Sequence, residues 1–147
     1  MLDWLFSDPL PIGTPAPDFT LPDDQGNMVS LKALRGKNVV LVFYPRDETT
    51  VCTKQLCEFR DAWADVKARN AVVFGVNPQD AESHSKFRKN RDYPFPLLTD
   101  EGQKMGQAYH TSGLIVKRTV YLIDPIGIVR YAKRGKPEPV EVLATAT

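Results

Sequence analysis

Three continuous runs of β-branched, aliphatic and aromatic residues set the architecture of this chain: 38–44 (NVVLVFY), 71–76 (AVVFGV) and Thr119–Ile123 (TVYLI). None alternates apolar with polar positions, so each reads as a strand covered on both faces. Helix-length segments separate the runs, at 52–69, 81–91 and 101–109, and a last short helix is expected after Pro137-Glu138-Pro139. Alternating β and α elements imply a central, largely parallel sheet flanked by helices. Pro125-Ile126-Gly127 turns the third run into 128–131, which is expected to pair antiparallel with it and give the sheet mixed character. Upstream, 19–21 and 28–31 read as short strands around the turn at 22–27, an N-terminal β-hairpin. The fold class is therefore α/β.

A length of 147 residues suits one packed core, so 1–147 reads as a single domain with an N-terminal arm over 1–12. The net charge is +1, and the longest basic clusters, Lys86-Phe87-Arg88-Lys89 and Lys133-Arg134-Gly135-Lys136, are short. Neither nucleic acid nor an anionic membrane is expected as a partner. The opening MLDWLFSDPL is apolar but too short to span a bilayer. Asp3 and Asp8 stand where a secretory signal would begin with basic residues. The expectation is an arm whose Trp4, Leu5 and Phe6 pack on the body or on a neighbouring subunit, in a cytoplasmic protein. A monomer is expected, and a dimer is compatible.

The chain has two cysteines, Cys52 and Cys57. That is too few for a disulfide framework, and a structural zinc site needs four ligands. With about 100° of rotation per residue, Leu56, Phe59, Trp63 and Val66 fall within about 40° of Cys52. Cys52 thus heads the buried face of a helix that follows a buried strand, the end of an open α/β sheet where ligands and chemistry gather. Unpaired N–H groups and the positive end of the helix dipole favour an anion there. Cys57 lies about 140° around the helix, on a more polar side. On a regular helix the two Cα atoms stand roughly 8–9 Å apart, whereas a disulfide needs less than about 7 Å. The pair cannot bond unless the first turn or two unwinds. Free cysteines are also commonly inert core residues, and the C-x4-C spacing by itself leaves inert thiols and a redox pair equally open.

The surrounding residues narrow the choice. Pro45-x-x-x-Thr49-x-x-Cys52, placed after a buried strand, resembles the signature of peroxiredoxins. Thr53-Lys54-x-x-Cys57-x-Phe59-Arg60-Asp61 is similar to the bacterioferritin comigratory protein, or peroxiredoxin Q, branch. Further matches run in order along most of the chain: Gly13-x-x-Ala16-Pro17-Asp18-Phe19-x-Leu21, Phe74-Gly75-Val76, Ser83-His84-x-x-Phe87, Phe95-Pro96-Leu97-Leu98-x-Asp100 and Arg118-Thr119-x-x-Leu122-Ile123-Asp124.

This resemblance implies a thioredoxin-like fold and a peroxidase for hydrogen peroxide and organic hydroperoxides, with no metal, haem, flavin or other cofactor. It implies that Cys52 attacks the peroxide and becomes a sulfenic acid, and that Cys57 resolves it as a disulfide reduced by a thioredoxin-like partner. It further implies that Thr49 hydrogen-bonds peroxide and thiolate, that Arg118 stabilises the developing charge, and that Pro45 shields the pocket from water. Read without the resemblance, Thr49 is a cap, Pro45 a strand terminator and Arg118 a surface arginine. His84 reads as a helix-surface residue and His110 as a loop residue. Two other functions use the same cysteines: a thiol–disulfide oxidoreductase, which the missing C-x-x-C disfavours, and a non-catalytic redox sensor or holdase.

Overall fold

A computed structural model describes residues 8–147. The expected packing of Trp4, Leu5 and Phe6 lies outside the described residues. Strands β1 (Thr20–Pro22) and β2 (Met28–Ser30) form the antiparallel hairpin. Asp23 holds its turn by accepting from the backbone N–H groups of Gln25 and Asn27 at 2.8 and 2.9 Å.

The main sheet contains β3 (Asn38–Phe43), β4 (Ala71–Asn77), β5 (Leu97–Thr99), β6 (Thr119–Ile123) and β7 (Val129–Arg134), in the spatial order β5-β4-β3-β6-β7. β3, β4 and β5 run parallel, while β6 and β7 are antiparallel to their neighbours. The sheet is mixed, as the third run and its turn predict. β5 is an addition to that expectation. It is three residues long and preceded by Pro94 and Pro96, too short for a periodicity to register.

Every residue of β3 is buried, because its alternate side chains enter two different cores. Val40, Val42 and Tyr44 pack with Cys52, Leu56, Phe59 and Phe87 on one face. Val39, Leu41 and Phe43 pack with Phe19, Leu31, Tyr109 and Tyr121 on the other. Gly75 makes room for the side chains of Leu97 and Tyr44, since a Cβ there would lie 2.7 Å from the first and 2.9 Å from the second.

The helix expected over 52–69 is two helices, α1 (Thr50–Asp61) and α2 (Trp63–Ala68), broken at Ala62 (φ −92°, ψ 16°). The apolar stripe still holds across the break: Leu56, Phe59 and Val66 are buried and Trp63 packs against them. Helix α3 (Ala81–Arg91) has the expected bounds and starts on Asp80, whose side chain accepts from Ser83 N. The segment 101–109 is a 3-10 turn (Glu101–Gln103) followed by α4 (Lys104–Ala108), and α5 (Pro139–Leu143) closes the fold. No helix among the described residues is long and apolar enough to cross a membrane.

Candidate active site

β3 delivers Tyr44 and Pro45 to the carboxyl edge of the sheet, and the chain then enters α1. Because β6 is antiparallel to β3, with Phe43 opposite Thr119, the residue preceding β6 arrives at that same edge. That residue is Arg118. Its Nη2 donates to Cys52 Sγ at 3.1 Å and its Nη1 to Gln55 Oε1 at 2.8 Å. Cys52 is only 1% exposed and opens on a cavity of about 350 Å³ lined by Pro45, Thr49, Arg118, Leu114 and Ile115 among others. Four of the five residues singled out from sequence (Pro45, Thr49, Cys52 and Arg118) therefore line one cavity, although Arg118 is 66 positions from the cysteine. The fifth, Cys57, lies on α1, half-buried against the helix-side core.

Arrangement at the head of α1 suits a reactive sulfur. A guanidinium hydrogen bond stabilises the thiolate over the thiol, and the first N–H groups of a helix have no intrahelical partner. Thr49 is the residue before α1, yet its hydroxyl makes no capping bond and donates instead to Arg46 O at 2.9 Å. Arg118 is not a free surface arginine, and Pro45 does end a strand while walling the cavity.

The first turn of α1 is weakly held. No side chain caps it, no acidic residue stands in it, and Thr50 and Val51 are exposed. Glu48, just upstream, has a left-handed backbone (φ 62°), which strains a non-glycine residue. Thr53 Oγ1 is buried with no hydrogen-bond partner among the described residues. A buried orphan hydroxyl costs about 1–3 kcal/mol. Leu56 and Phe59 anchor the later turns, each burial contributing roughly 1.5–3 kcal/mol. Thr53→Val, which keeps the shape and removes the hydroxyl, is expected to raise the thermal midpoint by about 2–4 °C. A lower midpoint in a calorimetric scan would show that the hydroxyl contributes to stability.

At the carboxyl ends of β3 and β4 lies a buried polar cluster that sequence alone did not show. The Asp47 carboxylate accepts from Tyr44 Oη (2.6 Å), Asn77 Nδ2 (3.1 Å), Ser83 Oγ (2.7 Å) and His84 Nδ1 (2.7 Å). Its backbone N–H donates to Gln79 Oε1 at 2.5 Å. His84, expected on a helix surface, is fully buried. It sits three residues before Phe87 on the inward face of α3, and the Asp47 carboxylate compensates its burial. That i, i+3 spacing was the available signal. His84 Nε2 meets Leu98 O at 3.0 Å. Both ring nitrogens therefore face an oxygen, the Asp47 carboxylate on one side and a backbone carbonyl on the other. Burial alone would raise the Asp47 carboxyl, but the hydrogen bonds and charge of His84, with those of Tyr44 and Ser83, hold it below its ordinary range. His110 is a loop residue, as expected, with Nδ1 at 3.1 Å from Asp8 O. Gln55 was also missed; as a polar residue three positions after Cys52, beside the apolar stripe, it carried a readable signal.

Residues 12–132 match the AhpC/TSA family. Among curated proteins, the chain is 41% identical over 131 residues to the chloroplastic peroxiredoxin Q of Oryza sativa subsp. japonica, covering 86% of this chain and 60% of that protein. The chain thus spans about 60% of the length of its first plant relatives. The crystal structure of the peroxidoxin BcpB of Mycobacterium tuberculosis superposes with a TM-score of 0.86 at 30% identity, over 92% of this chain and 95% of that one. The bacterioferritin comigratory protein of Xanthomonas campestris, studied for its alkyl peroxide reduction activity, superposes with a TM-score of 0.78 at 26% identity, over 87% and 89%. With the fold, the cavity and these likenesses in agreement, the chain belongs to the AhpC/TSA family, in its peroxiredoxin Q and bacterioferritin comigratory protein branch.

Proposed function

We propose that the chain is a thiol peroxidase for hydrogen peroxide and organic hydroperoxides. The observation that carries this reading is the Arg118 guanidinium on Cys52 Sγ, at a helix start opening on a cavity. Cys52 attacks the terminal peroxide oxygen as thiolate. The O–O bond breaks, the sulfur keeps one oxygen as sulfenic acid, and the other leaves as water or alcohol after taking a proton. Arg118 stabilises the anionic sulfur and the charge developing on the oxygens. Thr49 Oγ1, with its own proton on Arg46 O, is free to accept from the peroxide hydroxyl. Pro45 limits water at the sulfur.

Cys57 then condenses with the sulfenic acid. Its S–H and the Cys52 S–O bond break, an S–S bond forms and water leaves. Both thiols are free in this structure, and both lie within the continuous helix Thr50–Asp61. Unwinding must therefore precede the disulfide, and the weakly held first turn is where it begins. A thioredoxin-like dithiol reduces the product by exchange.

The test is peroxide consumption with a thioredoxin system, comparing the parent with Cys57→Ser. The parent is expected to turn over. Cys57→Ser is expected to form a sulfenic acid that a dimedone-type reagent traps, and to stall after about one equivalent of peroxide. Sustained parental turnover by Cys57→Ser would remove its resolving role. A parent no faster than a free thiol would overturn the peroxidase itself.

A further inference from the structure

Tyr93 touches the helix that carries both sulfurs without belonging to it. Its ring stacks on Phe95 (centroids 5.2 Å apart, planes 16° apart) and meets Phe87 edge-on at 5.2 Å. None of these rings lies on α1, so the Tyr93 hydroxyl keeps its place when the first turns of α1 unwind. That hydroxyl donates to Thr53 O at 3.1 Å and lies 3.7 Å from Cys57 Sγ. A phenol has one proton, and a carbonyl only accepts. With the proton on Thr53 O, the Tyr93 oxygen is left to accept from the Cys57 S–H. In the closed helix, the Tyr93 oxygen thus takes the Cys57 S–H as its donor, and a thiol is the form that is not nucleophilic.

Thr53 directly follows Cys52, in the turn that must open before the sulfurs can meet. Opening takes the Thr53 carbonyl away and releases the Tyr93 proton, whose neighbouring acceptor is then Cys57 Sγ. We propose that Tyr93 couples the unwinding of α1 to the activation of Cys57: it accepts from the resting thiol and donates to the attacking thiolate once the turn opens. This rests on the peroxidase reading and concerns its second chemical step. The balance is that step's own: the Cys57 proton leaves, the S–S bond forms, and the departing hydroxide of the sulfenic acid becomes water. Burial, together with the hydrogen bond and charge of Cys57, pushes the Tyr93 phenol far above its ordinary range, so it remains a neutral O–H donor. Arg60 on α1 and Arg91 on α3 are the cations facing the pair, and Asp61 is paired with Arg60.

The test is Tyr93→Phe, which keeps the stacked ring and removes only the hydroxyl. After a pulse of hydrogen peroxide, Cys52 sulfenic acid and the Cys52–Cys57 disulfide are followed separately by rapid quench. Sulfenic acid formation is expected at the parental rate, which also reports an intact fold. Disulfide formation is expected to slow about tenfold near neutral pH, with the deficit shrinking as pH rises and Cys57 ionises unaided. A mere clasp predicts the opposite sign, because losing the bond to Thr53 O would hasten unwinding. Unchanged or faster disulfide formation would therefore overturn the role of Tyr93 while leaving the peroxidase standing. A parent whose Cys52 never oxidises would overturn both.

Discussion

Cys52→Ser is expected to lower peroxide turnover by at least about four orders of magnitude while leaving the fold intact. Serine is nearly isosteric, so Leu56, Phe59 and Val42 keep their packing around the site. The chemistry does not survive. A guanidinium beside a sulfur stabilises an anion that a thiol forms readily, whereas a serine hydroxyl has no comparable population of alkoxide near neutral pH. The Arg118 Nη2 hydrogen bond then falls on a neutral oxygen, with Gln55 still holding Nη1. The check is peroxide loss in the presence of a thioredoxin system, with far-UV circular dichroism to confirm the helices. A variant that retained more than about a tenth of parental turnover would remove Cys52 as the nucleophile and direct attention to Cys57.

Asp47→Ala is expected to cost about 3–5 kcal/mol of stability and lower the thermal midpoint by about 10 °C or more. Four donors converge on that carboxylate, and two of them, His84 and Tyr44, are fully buried. Truncation strands the side chains of His84, Tyr44 and Asn77 away from water, which costs more than any single contact is worth. The acid dependence follows from the lowered folded-state carboxyl. A group depressed on folding stabilises fully above its unfolded value, ordinarily 3.8, and the contribution disappears as pH falls through the folded value. The gap between parent and variant should therefore be full near neutrality and close in acid. A midpoint within about 2 °C of the parent at neutral pH would show that the cluster does not support the fold.

Asp47 also shows where sequence reading stops. The strands at Asn38, Ala71 and Thr119 were legible because burial on both faces leaves an uninterrupted apolar run. The start of α1 and its buried stripe were legible from angular spacing, and the family resemblance, through its match at Arg118-Thr119-x-x-Leu122-Ile123-Asp124, implied Arg118. The break at Ala62 was not, because alanine is a good helix former and nothing local ends the helix there. Asp47 and His84 stand 37 positions apart, and each looks like a surface residue until the carboxyl ends of β3 and β4 bring them together. Tyr93 is likewise 36 positions from Cys57. Such partners are properties of topology, and no local period encodes them.

The pairing of Phe43 with Thr119 divides the site into two parts that answer to different constraints. The sulfur–guanidinium contact is tied to the ladder between β3 and β6, where slipping by one residue would turn every side chain to the other face. Leu114 and Ile115 line the cavity from the loop before β6, exposed and outside any ladder. Changes in that loop can reshape access to Cys52 without moving Arg118 off the sulfur. The contact at the sulfur is held by the sheet, and the way in to it is set by a loop that no ladder constrains.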